Sequence, residues 1–282
     1  TDWEDTTQLM THDVHGLPDL DHKNIDVIKH LVSDGLFWLN KASPTGFRID
    51  SVRHIDPAFL KAWTRRLDAN SETPLIFAGE INDKNPVRIA EMVAESGLTH
   101  SFDFPLHHAL TASICKGGDL QQVAAVLTQD RRFEPGHQRI TFLDNHNTPR
   151  LASTCGEQRQ TALIWLTSLR GTPMITWGTA AGLTGTTAAL ARSDMVFDRA
   201  PMHEWIGARL NERRSYAPFV EGLTDILKAT SDSLVVARVL PDEAVVIAMD
   251  ETTTPPSLPE HAGAVQWIRI SDTPVRRWLI TP

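Results

Sequence analysis

Arg48 and Asp50 stand two residues apart in Gly46-Phe47-Arg48-Ile49-Asp50-Ser51-Val52-Arg53-His54, a stretch that otherwise opens as an apolar run. Side chains two apart on a strand share a face, so this spacing directs a cation and a carboxylate into one place. A guanidinium in an apolar run needs a partner, because burying its charge unpaired is expensive, and the carboxylate two residues on is the obvious one. Two further runs end in polar groups: Leu75-Ile76-Phe77-Ala78-Gly79-Glu80 closes on a carboxylate, and Ile140-Thr141-Phe142-Leu143 leads into Asp144-Asn145-His146-Asn147. Taken singly, an acidic residue closing a strand is often a loop hydrogen-bonder or a helix cap. As a set they offer a division of labour in which one carboxylate attacks a carbon while the other protonates the leaving oxygen.

Groups at the ends of several strands work together when the strands are parallel and their C-terminal ends open on one face. Strand-like runs fall near 46–50, 75–79, 101–104, 140–143 and 173–177, and helical patterns lie between them. Asn24 or Asp21 can cap a helix carrying Ile25, Ile28, Leu31, Val32, Leu36 and Leu39 on a broad apolar side. Asp56-Pro57 and Asn85-Pro86 each start another, with proline in the first turn where its missing donor costs nothing, and Gly97 closes the second. Residues 119–129, 157–169 and 203–214 read as further helices. This alternation predicts an α/β fold of (β/α)-barrel type. The period then changes: 234–240, 244–249, 265–270 and 275–280 are short β-rich runs, which predict a small antiparallel β domain with a surface loop over 251–259.

The chain resembles the alpha-amylase family of retaining glycoside hydrolases through GFRIDSVRH, FAGE and FLDNHN, in that order. Supporting similarity comes from GLPDLD at 16–21, GTPMITWG at 171–178 and RSDMVFD at 192–198. The resemblance implies that Asp50 is the nucleophile and Glu80 the general acid and base. It also implies that Arg48 and His146 contact the nucleophile and the sugar, and that His54 binds substrate or, through its backbone carbonyl, a structural calcium. His107, after the third of these runs, is expected to line the sugar groove or cap a helix, and Arg150 is expected among the substrate contacts. The ligand implied is an α-linked oligosaccharide. On the family's plan the five parallel runs correspond to strands four to eight of a (β/α)8 TIM barrel. The expected organisation is then 1–22 as the remnant of an inserted domain and connecting loop, 23–215 as a partial barrel, and 216–282 as the C-terminal β domain.

Two departures matter. Where the family has a third carboxylate directly after the histidine, this chain has Asn147, and the acidic residue usual near Ala181 is also absent. A hydrogen bond to a charged group is worth roughly 1.5–3 kcal/mol against about 1 for a neutral pair, and a transition-state contact can be worth more. The expectation is activity weakened by at least ~10²-fold, with a catalytically silent carbohydrate-binding protein or subunit, or an α-glucosyl transferase, as alternatives. Strands one to three of the family plan are not visible, so they are expected either on a companion N-terminal fragment or chain or on a preceding segment of the same protein, rather than a truly reduced fold.

Composition is compatible with this reading. A chain of 282 residues, 41% hydrophobic, can bury a sizeable core. Its formal charge of -8 and lack of a standout basic patch argue against a nucleic-acid surface. No apolar run reaches membrane-spanning length, and localisation, whether cytoplasmic or secreted, is not legible. Cys115 and Cys155 can pair, although two cysteines in a chain of this size read more readily as free thiols. His12, His15 and His22 fit no zinc spacing, so no metal is assigned. Trp267 and Trp278 read as packed core rather than as a sugar platform.

Overall fold

A computed structural model of the chain describes residues 2–14, 16–198, 200–249, 266–271 and 276–281; within the last two segments Arg277 is the one side chain described. Five strands form one sheet in the order β1 (Gly46–Ile49), β2 (Ile76–Gly79), β3 (His100–Phe102), β4 (Gln138–Thr141) and β5 (Thr172–Pro173). The β1–β2, β2–β3 and β4–β5 pairs are parallel. Helices lie between successive strands, the arrangement of a (β/α)-barrel core. Five further strands form a separate sheet in the order β6 (Leu223–Ala229), β7 (Leu234–Val239), β8 (Ala244–Met249), β10 (Arg276–Thr281) and β9 (Gln266–Ser271), antiparallel throughout.

Packing divides the chain into two compact units, residues 1–104 with 131–139, and residues 105–130 with 140–282. In the first, the helices form where their caps predict. Asn24 Oδ1 accepts the Asp26 N–H and opens Ile25–Ala42. Asp56 caps Pro57–Asp68, Asn85 caps Pro86–Ser96, and Gly97 at φ 71° ends the latter. Their apolar faces bury Leu39, Leu60, Leu67, Ile89 and Val93 against Phe77 of β2 and Leu98. Phe37 and Trp38 on Ile25–Ala42 remain exposed.

The start of β1 leaves no room for a side chain. A Cβ on Gly46 would lie 2.3 Å from the Ile76 carbonyl oxygen, a backbone atom that cannot rotate away. Gly46→Ala should therefore loosen β1 from β2 and cost about 1–3 kcal/mol, measured as a lowered urea midpoint. An unchanged midpoint would mean that the two strands are not held at this separation.

His137 is half-buried in the same unit, stacked on Phe133 with its Nε2 2.9 Å from Ser101 Oγ. Burial pushes its pKa down to about 4, helped by the charges of Arg139 and His100 and opposed by a hydrogen bond at the Leu98 backbone. A histidine that binds its proton more weakly when folded destabilises the fold as pH falls. Its stabilisation should be complete above pH 6.5 and lost progressively towards pH 4, by up to about 3 kcal/mol. His137→Phe should flatten that part of the pH–stability curve; an unaltered slope would exclude this histidine as its source.

In the second unit, Arg159–Ser168 is buried along its whole length except its first two residues, and Trp165, Leu163 and Leu166 pack with Leu106, Leu110 and Val123. Leu234, Val236, Val245 and Ile247 join the same core, so one face of the antiparallel sheet is sealed by the helices of its own unit. The other face is built on Val235, Ala237, Ala244, Val246 and Ala248. Arg213 donates to the carbonyls of Thr167, Leu169 and Gly171 and so caps the end of Arg159–Ser168.

Three expectations need correction or limits. Cys115 and Cys155 are joined in a disulfide rather than free. A π-helical turn over Thr111–Cys115 and the helix Leu151–Cys155 bring their Cα atoms to 4.2 Å, a proximity that 40 residues of separation conceal. Strand β6 was not anticipated, because LTDILKA mixes charges into its alternation and its edge position leaves Leu223 exposed. The loop over 251–259, His15 and the side chains of Trp267 and Trp278 lie outside the described residues.

Candidate active site

In the first unit the functional groups gather where β1 and β2 end. The register pairs Arg48 with Ala78 and Ile49 with Gly79, so Asp50 and Glu80 leave the sheet side by side. Their backbones are tied beyond the strands: the Glu80 N–H donates to the Ile49 carbonyl at 2.8 Å, and the Val52 N–H donates to the Glu80 carbonyl at 3.0 Å. Between them Ser51 adopts a left-handed conformation, φ 49°. That region is unfavourable for a side chain and persists where the surroundings impose it. The turn sets the Ser51 Oγ on Asp50 Oδ2 at 3.2 Å.

One guanidinium serves both carboxylates. Arg48 Nη1 donates to Asp50 Oδ1 at 2.7 Å and its Nη2 lies 3.0 Å from Glu80 Oε2. The ring of Phe102 supports the same cation, 5.7 Å away. Glu80 is nearly enclosed, whereas Asp50 is open to solvent. The two environments drive the acids apart. Burial is the largest influence on Glu80 and raises its pKa; the hydrogen bond to Asp50 and the charge of Asp50 add to this, against the charge of Arg48 and a Ser51 backbone hydrogen bond. At Asp50 partial burial also opposes ionisation, but hydrogen bonds from Arg48 and Glu80, the Arg48 charge and Ser51 outweigh it, so its pKa is lowered. The two shifts run in opposite directions, so of the pair Glu80 binds a proton more tightly and Asp50 more readily carries the charge, the ordering an acid and a nucleophile require.

His54 belongs to the same unit. Its Nδ1 lies 2.9 Å from the Leu9 carbonyl and its ring meets Trp3 edge-on at 5.6 Å, so the side chain secures the segment before Met10. Arg53 also reaches that segment, donating to the Trp3 carbonyl at 2.7 Å.

In the second unit the residues after β4 form a tight turn. Asn145 Oδ1 accepts the Asn147 N–H at 2.8 Å, and the Asn145 N–H donates to Thr148 Oγ1 at 2.9 Å. Asp144, at the start of this turn, is buried. Its Oδ2 caps the Leu151 N–H at 2.8 Å, and its carbonyl accepts from Thr176 Oγ1 at 2.7 Å. Arg150 is fully enclosed, with Nε 3.4 Å from Asp144 Oδ2, Nη2 donating to the Trp177 carbonyl, and the Trp177 ring 5.1 Å away. Expected as a sugar contact, it instead braces the turn from inside, because the buried carboxylate supplies its partner. His107 is buried within the helix Phe104–Leu110 and stacks on Phe142 at 4.7 Å. Asn147 is exposed, and Arg192, assigned no role by sequence, donates to Asn147 Oδ1 through Nη2 and to the His146 carbonyl through Nε at 3.0 Å. Arg192 and Asp144 escaped sequence reasoning because their partners are distant or their roles are played through the backbone.

Among the described residues no group of three or more His, Cys, Asp or Glu is placed to hold a metal ion, and no helix is long and apolar enough to cross a membrane. His22, one of the three early histidines, stacks on Phe59 at 4.7 Å.

Five strands with helices between them form a core of (β/α)-barrel type, and two of its strand ends carry carboxyl groups under one arginine, a grouping suited to acid and nucleophilic chemistry. The family model for the alpha amylase catalytic domain matches residues 2–213. The chain belongs to the alpha-amylase family. An alpha-amylase of Geobacillus stearothermophilus is 30% identical over 149 residues, 52% of this chain and 27% of that protein. A cyclomaltodextrin glucanotransferase of Klebsiella oxytoca is 24% identical over 299 residues, 89% of this chain and 45% of that protein. The chain thus spans less than half the length of these curated relatives. Among solved structures, the alpha-amylase of Geobacillus thermoleovorans complexed with acarbose superposes with a TM-score of 0.85 at 21% identity, covering 100% of this chain and 70% of that one, a likeness of fold.

Proposed function

We propose that this chain carries the core of a glycoside hydrolase site acting on α-glucans by retaining double displacement. The observation that carries the reading is Asp50 and Glu80 side by side at the strand ends under a shared Arg48, with the Glu80 pKa raised and the Asp50 pKa lowered. Glu80 gives its proton to the glycosidic oxygen as that bond breaks, and the Asp50 carboxylate bonds to the anomeric carbon. Glu80, now ionised, takes a proton from water, which displaces Asp50 and restores both groups. Arg48 holds Asp50 anionic and orients it. No step runs through a metal; calcium at the His54 carbonyl is an expectation of the family resemblance alone.

The test is stereochemical. The chain is incubated with an α-maltooligosaccharide and the first product is followed by proton NMR before mutarotation. An α-anomeric product fits double displacement, whereas a β-anomeric product excludes it.

Asn147, in place of the family's third carboxylate, favours weak turnover or a silent carbohydrate-binding role. Transfer to a second sugar instead of water is an alternative, since one similar protein is named a glucanotransferase. The strands correspond on this reading to four to eight of an eight-stranded barrel, completed by a companion segment or chain. Support comes from β1, which ends the sheet with its outer edge unpaired among the described residues, and from exposed Phe37 and Trp38. Residues 1–282 prepared alone should self-associate in analytical ultracentrifugation; a soluble 31.3 kDa monomer with one cooperative melt would exclude the companion.

A further inference from the structure

Asn147 stands in the turn after β4 with its side chain exposed, and its amide has two faces of opposite character. The oxygen accepts hydrogen bonds; the nitrogen donates two. Which face meets a ligand is decided by Arg192. A guanidinium has donors and no acceptor, so it can hydrogen-bond only the amide oxygen. Arg192 Nη2 does so, at 2.5 Å from Asn147 Oδ1. The arginine is itself fixed, because its Nε donates to the His146 carbonyl at 3.0 Å, one residue earlier in the same turn. The Asn147 N–H is held by Asn145 Oδ1, so the backbone below the amide is also set. Among the described residues the Asn147 Nδ2 has no protein acceptor.

We propose that Arg192 is a positioning residue that holds the Asn147 amide with its oxygen on the guanidinium, so that the face of the amide turned away from Arg192 offers a ligand its two N–H donors. The sugar hydroxyl that meets Asn147 then serves as hydrogen-bond acceptor. A carboxylate at the same place could only accept, and would require the hydroxyl to donate. Asn147 thus reverses the direction of the hydrogen bond as well as removing the charge. The ligand half of this inference rests on the α-glucan reading above; the orientation of the amide does not.

The experiment uses the full chain labelled with 15N, prepared with the unlabelled companion segment if the chain alone self-associates, with maltotetraose as probe. The Asn147 side-chain NH2 pair is assigned by its loss in Asn147→Asp. In the unmodified chain the pair should be shifted from free asparagine and should move when maltotetraose is added. Arg192→Met should return the pair to free-asparagine values and weaken maltotetraose about tenfold, equivalent to about 1.4 kcal/mol. Arg192→Lys should restore part of both effects, which a loss of folding would not. Backbone amide spectra report whether each variant keeps its fold. An NH2 pair unchanged in Arg192→Met would overturn the lock, and unchanged maltotetraose affinity with a released pair would overturn its part in binding. If maltotetraose binds no form, the α-glucan reading and the ligand half fail together, while the NH2 pair still decides the orientation.

Discussion

Asn147→Asp should raise turnover of a blocked maltooligosaccharide by ~10²–10³-fold, the range for restoring a lost transition-state contact in a preorganised site. The gain should appear mainly in kcat, because a group that acts on developing charge contributes little to ground-state binding. Arg192 is already in place to receive a carboxylate oxygen, since it donates to Asn147 Oδ1 and is braced by the His146 carbonyl. The substitution removes no backbone contact of the turn, which is held through the Asn147 N–H and Asn145 Oδ1. Rescue to high turnover would identify an intact machine missing one group. Sugar binding without turnover in either form would favour the silent reading instead.

Glu80→Gln should cost ~10²–10⁴-fold, the usual worth of a positioned general acid and base, measured in whichever form turns over fastest. The amide keeps the shape beside Arg48 but cannot give up a proton. The loss should shrink on a substrate with an activated leaving group such as fluoride, which departs without protonation. The pH profile supplies a separate check. Turnover needs Asp50 ionised and Glu80 protonated, so it falls as pH drops through the lowered Asp50 pKa and again as pH rises through the raised Glu80 pKa. Glu80→Gln should remove the alkaline limb and leave the acid limb. An alkaline limb that survives in the variant would assign it to another group and take the acid role from Glu80.

The spacing of Arg48 and Asp50 is legible because strand geometry is periodic and local: i and i+2 share a face whatever else the chain does. The helix starts at Asn24, Asp56 and Asn85 are legible for the same reason, since a cap and the N–H groups it satisfies lie within three residues. Four of the five antiparallel strands were visible as short β-rich runs. What sequence could not settle depends on residues far apart along the chain. The Arg48 guanidinium reaches Glu80 only because β1 and β2 pair in one register, and the burial of Glu80 with the exposure of Asp50 follows from that packing.

The same distinction separates the two arginines of the second unit. Arg150 is expected from the family resemblance among the substrate contacts, yet burial against Asp144 makes it a brace. Arg192, forty-five residues beyond Asn147, enters the sequence reading only as the first residue of RSDMVFD, and folding sets it on the amide. Cys115 and Cys155 are bonded because a π-helical turn and a short helix end at one place, which neither composition nor spacing records. The sequence by itself determined which chemical groups this protein has, the local elements that present them and the family to which they belong. Only the tertiary structure decided which carboxyl groups meet, which charges are enclosed and which way an amide faces, because desolvation and hydrogen-bond direction are properties of neighbours in space.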